Sequence, residues 1–473
     1  MTDKSQKVVK AGAGYVVGNY LLKGITFLSA PIFTRLLTTE DYGRTNTYMS
    51  YEALLYLFVG LALHSCFNSA KLKYKEKFDS FVSSMILLVI AVFGIWVLGG
   101  NLLFGLFGTW LQIGRVVFNI LLIHCLGSAL HQIYNSYMGI NYDYRSFVRI
   151  SYTYAISNII LSVILCCTLF DSDRYLGRVL GIGIPMAGIG IYIIYFFFKK
   201  NAPTFNKSYW KYGLRYSIPI IPHGVSQVIL SSFDRIMISN IKGDADAGLY
   251  SFCAVICHIV NVASNSIQNV WKPWFFEKMK EKKYDDIKEC STLYAFGIGA
   301  FTSVVLLLSP EIIRILGTKQ YWCTVPCIVP VVLGGYFSFL YSIPSLVEYY
   351  YEKTVCIAVS TVGAAALNIF LNSIFIPKYG YIAAAYTTLV TYFLYFIFHC
   401  ISSGLIHKSP VFSVPGFVGI IVFVMTAGFG VLVFEKMWLV RWGLALVIVL
   451  LILYGLQRKF GLMAMVKRFW KRS

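Results

Sequence analysis

The sequence predicts an all-α integral membrane protein with about 14 transmembrane helices, and three observations lead to this fold class. Of the 473 residues, 58% are hydrophobic and only 13% are charged, against about 25% charged residues in soluble domains. The mean hydropathy is +0.68. Apolar stretches of about 20 residues, the length that crosses a hydrocarbon core of about 30 Å, recur along the whole chain. These stretches lack strand-type alternation, so they favour helices over a β-barrel.

Fourteen such segments are placed in order, separated by short polar links. The first is expected to remain as an anchor, because its apolar part is long, contains Lys23 and is followed by no small-residue cleavage site. The segments lie near residues 12–33, 45–67, 82–105, 115–137, 148–170, 177–198, 215–240, 249–271, 290–315, 325–348, 354–376, 381–402, 414–434 and 438–457.

Positive charge indicates the orientation of these segments. An even number of crossings puts both termini on one side of the membrane. With a cytoplasmic amino terminus, most of the 41 Lys and Arg fall in inner loops and tails, as the positive-inside rule requires. The basic runs at 71–77, 278–283 and 466–473 all lie on that side. The net charge of +20 is therefore interpreted as a topology signal in contact with anionic lipid, and no nucleic-acid partner is predicted.

The eleven cysteines show no Cys-x-x-Cys framework, and most lie in apolar segments, where cysteine acts as a small apolar residue. Cys253, Cys257 and His258 lie close together on one segment, but three ligands from one helix turn are poor metal geometry. No metal site and no cofactor are therefore predicted. Cys323 and Cys327 could form a disulfide in an oxidising compartment.

Two short patterns recur about 200 residues apart. Residues 33–37 and 233–237 share the frame Phe, any residue, Arg, branched aliphatic, flexible aliphatic, and "NIILS" at 158–162 resembles "NIFLN" at 368–372. Equivalent segments are six crossings apart, so both enter the membrane from the same side. The repeat predicts two parallel six-helix lobes followed by two C-terminal helices, an arrangement typical of transporters. The expected domains are residues 1–200, 201–405 and 406–473.

The repeat pairs four basic residues. An offset of 200 places Lys23 opposite His223 and Arg35 opposite Arg235. Lys23 and His223 precede their arginines by a distance of about 18 Å along a helix, which puts them near mid-membrane if the arginines mark the outer interface. A lysine there costs about 2.5 to 3.5 kcal/mol on insertion scales and is best tolerated facing a wet cavity. Lys23 and His223 are therefore predicted to line a central cavity, with Arg35 and Arg235 near its exit.

A structural role for the two arginines stays open, because they could snorkel to headgroups or close the outer gate by pairing with Glu40, Asp41 or Asp234. Glu52 and Asp234 are candidate coupling carboxylates, since an ionisable group within the membrane is by default functional. The polar side chains expected to line the cavity are Asn19, Gln227, Asn261, Asn265 and Asn269. For any single amide, a hydrogen bond to a neighbouring helix is the simpler explanation.

The same stretches carry a family resemblance. The sequence "PIFTRLLTTEDYG" at 31–43 and the segments 216–251, 270–279, 306–322 and 367–388 resemble the polysaccharide transport family. This family belongs to the multidrug/oligosaccharidyl-lipid/polysaccharide superfamily, and the similarity is greatest to its O-antigen-type flippases. The resemblance covers most of the chain, in order, and implies the MATE-like fold of that superfamily.

The resemblance implies a transporter and not an enzyme. It would move undecaprenyl-diphosphate-linked oligosaccharide, the repeat unit of an O-antigen, capsule or exopolysaccharide, from the inner to the outer leaflet of the bacterial cytoplasmic (inner) membrane by alternating access. The cationic cavity at Lys23 and His223 would hold the diphosphate. The expected partners are the lipid-linked oligosaccharide, the bilayer and the polysaccharide polymerase machinery, with coupling to H+ or Na+ left open. The dipeptide Gly-Lys is absent, so there is no Walker A loop.

Two alternatives from other classes remain. A cation-coupled drug exporter of the same superfamily would need acidic cavity walls, for which only Glu52 and Asp234 are candidates. A polytopic glycosyltransferase or polymerase could use the acidic motifs at 171–173 or 244–246 as acids or metal ligands. Such enzymes need a sizeable outer loop or domain, whereas every outer loop predicted here is short.

Overall fold

The computed structural model describes residues 3–408 and 411–460, and all regular elements in these residues are helical. The predicted basic tail at 466–473 lies outside the described residues. The α-helices in chain order are α1 (Asp3–Leu36), α2 (Thr39–Val59), α3 (Phe67–Tyr74), α4 (Phe78–Leu102), α5 (Phe104–Leu111), α6 (Arg115–Ile140), α7 (Tyr144–Cys167), α8 (Arg174–Lys200), α9 (Lys207–Ser217), α10 (Ile221–Val228), α11 (Asp234–Lys242), α12 (Asp244–Lys280), α13 (Tyr284–Leu307), α14 (Ser309–Leu316), α15 (Val325–Leu340), α16 (Ser345–Tyr350), α17 (Thr354–Tyr379), α18 (Tyr381–His407), α19 (Val414–Val433) and α20 (Trp438–Phe460).

Eleven helical stretches of the described chain are long and apolar enough to cross a membrane. This finding confirms the predicted class of a multi-pass, all-helical membrane protein. Three further predicted segments are helical but are not among the eleven, namely α1, α2 and the interrupted stretch 207–242. These three carry the candidate site residues Lys23, Glu52 and His223.

One predicted segment ends earlier than expected. The sequence favours a helix over 45–67, but α2 stops at Val59, and Leu61 and Ala62 both adopt a left-handed backbone with φ of 48°. Such a conformation is costly for residues with a side chain, and apolar sequence alone does not indicate it. A short 3-10 turn then leads into α3, so the apolar run continues while the helix does not.

The chain forms two compact units. Unit 1 comprises residues 1–251 and 372–380, and unit 2 comprises residues 252–371 and 381–473. These units are defined by contacts within the fold. The predicted lobes, in contrast, are defined by repetition in the sequence, and their boundaries at 200 and 405 stay a prediction.

Unit 1 is held together by close helix packing. A Cβ on Gly181 of α8 would overlap Ser162 of α7, and one on Gly127 of α6 would lie 2.6 Å from the Met186 side chain of α8. In a membrane the lipid is as apolar as the side chains, so close approach through small residues is a main source of helix association. An aromatic cluster that includes Phe67, Phe81 and Tyr137 fills the space among α3, α4 and α6.

Unit 2 is built around α15. The apolar window of the stretch from Lys319 to Tyr350, which contains α15, is 83% buried, and α15 packs against α13, α18 and α19. Tyr336 donates a hydrogen bond from its hydroxyl to the Ala295 carbonyl of α13 at 3.1 Å. The side chains of α15 therefore form the core of this unit.

A buried arginine joins several helix ends of unit 2. Arg441 of α20 is 1% exposed. Its guanidinium makes a two-pronged ion pair with Glu311 of α14, at 2.5 and 2.7 Å. It also donates to the carbonyls of Leu307, at 2.7 Å, and Phe434, at 3.1 Å. These carbonyls lie at the carboxyl ends of α13 and α19, where the last carbonyl groups of a helix have no N–H donor within the same helix. A single side chain thus fastens four helices.

Candidate substrate and coupling site

The first candidate cations lie on α1. Lys23 and Arg35 are both exposed, and Arg35 donates from Nη1 to the Pro31 carbonyl at 2.9 Å, one turn back on its own helix. The side chain of Asn19 lies outside the described residues. The cavity roles of these three residues remain predictions.

The helix that carries His223 is interrupted by a π-helical turn at Ile229–Phe233. The sequence predicts a single polar stripe through His223, Gln227, Ser231 and Asp234, and this expectation is wrong. His223 and Gln227 are half-buried before the turn, Ser231 is exposed within it, and Asp234 is buried after it. A π turn holds more residues than an α turn, so positions beyond it rotate away from the face that the 3.6-residue period assigns them.

Asp234 is fixed by two neutral donors within unit 1. Its side chain is 3% exposed. Oδ2 accepts from the Tyr250 hydroxyl at 2.6 Å, and Oδ1 accepts from Nδ2 of Asn372 at 2.7 Å. Asn372 is the last residue of the repeated "NIFLN" motif, so this motif contributes directly to the environment of a candidate coupling carboxylate. The coupling role of Asp234 itself stays a prediction.

The neighbouring Arg235 points elsewhere. It is half-buried and lies within electrostatic range of Tyr42, while its buried Nε has no hydrogen-bond partner among the described residues. Two of the carboxylates considered as gate partners have other contacts, since Glu40 pairs with Arg44 at 3.5 Å and Asp41 caps the first turn of α2.

Glu52 borders a small, partly open cavity in unit 1. The side chain is 8% exposed, and the cavity has a volume of about 180 Å³. Its walls are formed by Glu52, Ala53, Tyr56, Ser128, His131 and Gln132. A water molecule takes about 30 Å³ in the liquid, so the cavity has room for a few waters or a hydrated ion but is too small for an oligosaccharide.

Glu52 does not pair with Lys23. The described residues contain no ion pair of Glu52 with a lysine or arginine, and the Ser128 hydroxyl lies within hydrogen-bonding range of its carboxyl. The sequence suggests that Glu52 either carries a coupling proton or pairs with Lys23. The pairing is not formed here, and the coupling role stays a prediction.

Arg178 is a further candidate that the sequence patterns above did not indicate. This residue lies four positions into α8, where its Nη1 donates to Oδ1 of Asn158 and to Oγ of Ser162, both at 2.6 Å. The guanidinium also stacks on Phe33, 3.7 Å from the ring centroid, a typical cation–π contact. An arginine at the start of the apolar segment 177–198 was the signal that could have revealed it.

The first asparagine of the repeated "NIILS" motif has an equivalent side-chain contact in each unit. Asn158 contacts Arg178, and in unit 2 the equivalent Asn368 donates to the Thr388 hydroxyl at 3.1 Å. Both offsets are the same, since 368 − 158 = 210 and 388 − 178 = 210. The same helix pair is therefore tied by a side chain at the same place in each unit, with a cation in the first copy and a hydroxyl in the second.

Two glycines bring the amino-terminal turns of α2 and α12 into direct contact within unit 1. A Cβ on Gly43 would overlap the Asp244 carbonyl and lie 2.8 Å from the Gly248 nitrogen. A Cβ on Gly248 would overlap the Thr39 carbonyl and lie 3.1 Å from the Gly43 nitrogen. The contact is reciprocal, because 39 and 43 correspond to 244 and 248 at one offset. Arg44 adds an ion pair with Asp244 at 3.0 Å.

The acidic motifs considered for an enzyme have structural partners. Asp171 pairs with Arg174, and Asp173 caps α8 by accepting from the Leu176 nitrogen at 3.2 Å. Asp244 accepts from Arg44 and from the Ser239 hydroxyl. The motif at 171–173 thus lies in a bend just before α8, whereas the motif at 244–246 forms the first turn of α12.

The remaining candidates lie on α12 in unit 2. Asn261 is half-buried and donates to the Cys257 sulfur at 3.8 Å, whereas Asn265 and Asn269 are exposed. Their role with the cations of unit 1 stays a prediction. None of the eleven cysteines, Cys323 and Cys327 included, forms a disulfide bond, and within the described residues no group of three His, Cys, Asp or Glu side chains is arranged to hold a metal.

A family profile described as polysaccharide biosynthesis protein matches residues 8–279. The chain belongs to this family. It is similar to two proteins of Haemophilus influenzae strain Rd. One is protein 1 of the Lsg locus, 23% identical over 67% of this chain and 80% of that protein. The other is an uncharacterized membrane protein, 25% identical over 78% of this chain and 92% of that protein.

The fold of this family member matches solved transporters. The lipid II flippase MurJ in an inward closed conformation superposes with a TM-score of 0.73 at 17% identity, covering 94% of this chain and 98% of MurJ. An inward-facing multidrug resistance MATE transporter of the MOP superfamily gives 0.66 at 14% identity, covering 82% and 96%. The polysaccharide biosynthesis family member therefore has the MOP transporter fold that the resemblance implied.

Proposed function

We propose that this protein is a flippase that moves undecaprenyl-diphosphate-linked oligosaccharide from the inner to the outer leaflet of the bacterial cytoplasmic membrane, with both termini in the cytoplasm. The family membership and the MOP fold support a transporter in polysaccharide assembly. The name and fold of MurJ add a lipid-linked substrate by analogy. The protein moves its substrate without changing it chemically.

The observation that carries this proposal is positive charge without a matching carboxylate. Lys23, Arg178 and Arg235 lie on α1, α8 and α11 of unit 1, and none of them makes an ion pair with a described carboxylate. Arg178 is held by an amide, a hydroxyl and an aromatic ring. Charges in this setting require compensation, and a diphosphate, with about two negative charges, supplies it.

The same observation weighs against a drug exporter for organic cations. Such a substrate needs acidic walls. Asp234 is already engaged by Tyr250 and Asn372, and the cavity beside Glu52 is only about 180 Å³. An ion-coupling role at Glu52 fits that volume and agrees with a flippase.

Depletion of the protein in its host tests the function. We expect a lipid-linked oligosaccharide to accumulate on the inner leaflet and the corresponding surface glycan to be lost. Mass spectrometry of the lipid fraction, with leaflet-selective oxidation of the glycan, measures both. Unchanged lipid-linked glycans together with a loss of drug resistance would favour the exporter instead.

Lys23 is expected to bind the diphosphate. Lys23→Ala removes a charge-assisted hydrogen bond worth about 1.5 to 3 kcal/mol, so surface glycan should fall by about tenfold to more than a hundredfold. Lys23→Arg should keep part of the activity, because the charge is retained while the shape changes. His223→Ala should have a smaller effect. The readout is surface glycan per amount of membrane-inserted protein, and normal display by Lys23→Met would refute the cationic mechanism.

Glu52 is expected to carry the coupling proton. Glu52→Gln preserves the size and polarity of the cavity wall but cannot release a proton, so glycan export should lose its pH dependence and slow markedly. The measurement is surface glycan in cells held at external pH values from 6 to 8. Gln132→Ala, which changes another side chain of the same cavity wall, serves as the matched control and should keep the wild-type pH profile. An unchanged rate and profile in Glu52→Gln would leave this residue only a structural role.

A further inference from the structure

A second ionisable pair is completely buried in unit 2. Glu348 lies on α16 and His399 on α18, and both side chains are 0% exposed. Nδ1 of His399 and Oε1 of Glu348 are 2.8 Å apart. α16 is separated from α15 by a turn at 341–344, which brings Glu348 against α18. Neither residue belongs to the cation or carboxylate groups considered above.

Among the described residues, no lysine or arginine forms an ion pair with this site. Three tyrosines are the titratable groups that face it: Tyr341 stacks on the imidazole at 5.6 Å, Tyr395 meets it edge-on at 4.6 Å, and Tyr349 lies within electrostatic range of Glu348. Tyr395 is itself hydrogen-bonded to Thr361 of α17 at 2.8 Å.

The nearest cation in the sequence is Lys353. Its backbone nitrogen donates to the Glu348 carbonyl at 2.8 Å, but its side chain is exposed. Within the described residues, no ion pair connects Glu348 to a lysine or arginine.

One atom on each partner has nothing to bind. Oε2 of Glu348 and Nε2 of His399 are buried and have no hydrogen-bond partner among the described residues. A carboxylate beside a neutral imidazole would leave a net negative charge buried here, and an uncompensated buried charge is strongly unfavourable. The pair reaches neutrality by retaining one proton, placed either on the imidazole or on the carboxyl group.

We propose that Glu348 and His399 form a proton-binding site that holds one proton while the pair is closed and releases it when water reaches the two unpartnered atoms. In the transport cycle this release would couple proton movement to the movement of substrate. The coupling role rests on the proposed transporter function, whereas proton binding does not.

Proton binding is tested without any substrate. If the folded pair keeps its proton, as proposed, unfolding at alkaline pH releases it, because an ordinary histidine or glutamate in an unfolded chain is deprotonated above about pH 7. Stability would then fall as pH rises. Between pH 7 and 9 we expect the unfolding equilibrium constant of the wild type to rise by up to tenfold per pH unit more than that of Glu348→Gln. The constant is measured in mixed lipid–detergent micelles.

Two further variants make the result decisive. Glu352→Gln removes an exposed carboxylate from the same hairpin and should keep the wild-type slope. If Glu348→Gln does not fold, the double variant Glu348→Gln/His399→Gln, which leaves no charge in the site, should fold and show the reduced slope. Equal slopes in the wild type and the variant of the pair, or the same reduction in Glu352→Gln, would overturn the site.

The coupling role has its own readout. Glu348→Gln should insert normally and display little surface glycan in cells lacking their own flippase, while Glu352→Gln should display it normally. Normal display by Glu348→Gln, with the altered pH slope present, would overturn coupling and leave the proton site standing. Failure of the wild type to restore display would contradict the proposed function instead.

Discussion

Replacing Gly248 by valine is expected to abolish surface glycan while the protein still inserts into the membrane. Any Cβ at this position overlaps the Thr39 carbonyl, and a backbone atom cannot move aside as a flexible side chain can. The amino-terminal turns of α2 and α12 would then be unable to meet. If their contact belongs to a state that every transport cycle passes through, as we expect, export stops. The readout is surface glycan normalised to membrane-inserted protein.

The reciprocal site and a distant glycine provide the comparisons. Gly43→Val should be as severe as Gly248→Val, because its Cβ meets the Asp244 carbonyl in the same way. Gly94→Ala on α4, where no atom lies within 4 Å of the added Cβ, should export normally. Full activity in both Gly43→Val and Gly248→Val would show that the contact is dispensable.

The second large effect is expected on stability. Arg441→Ala leaves Glu311 as a charge without its partner in a poorly solvated site, a change that costs about 3 to 5 kcal/mol. The carbonyls of Leu307 and Phe434 lose their donor as well. We expect a large drop in the thermal midpoint of the purified protein and a lower yield in membranes. The midpoint is measured by size-exclusion chromatography of samples heated to increasing temperatures.

Two comparisons separate charge from packing. The double variant Arg441→Leu/Glu311→Leu should recover much of the loss, since a buried pair replaced by apolar residues is often neutral. Arg314→Ala removes an exposed arginine of α14, the helix that carries Glu311. The cation–π contact of Arg314 with Trp322 is worth about 0.5 to 1 kcal/mol. A loss with Arg441→Ala no larger than that of Arg314→Ala would contradict the prediction.

The helical class and the position of the long apolar helices follow from hydropathy, because crossing a membrane requires long apolar stretches with internally paired backbones. The interruptions do not follow from it. The left-handed backbone at Leu61 and Ala62 and the π turn at Ile229–Phe233 leave the apolar character of the sequence unchanged. A helical wheel drawn through the π turn therefore misplaces Asp234 relative to His223.

The candidate site was predictable only where a residue is unusual by itself. Lys23 and Glu52 stand out as ionisable groups in apolar surroundings, and Arg178 could have been found by the same criterion. Pairs such as Glu348 with His399 join distant positions, and their identification requires the tertiary fold. The repeat was only partly predictable. The sequence indicated that the "NIILS" and "NIFLN" motifs are equivalent, but the contacts of their asparagines with Arg178 and Thr388 are seen only in the structure.

The reciprocal meeting of Gly43 and Gly248 has the form of an isologous interface, in which one surface contacts a copy of itself. Such an interface is self-complementary, so a single half-length ancestor would already have carried both sides of it and could have paired with an identical copy. Joining two copies in one gene then requires no new contact at this place. It also leaves each copy free to change separately, and the corresponding positions 178 and 388 hold an arginine and a threonine.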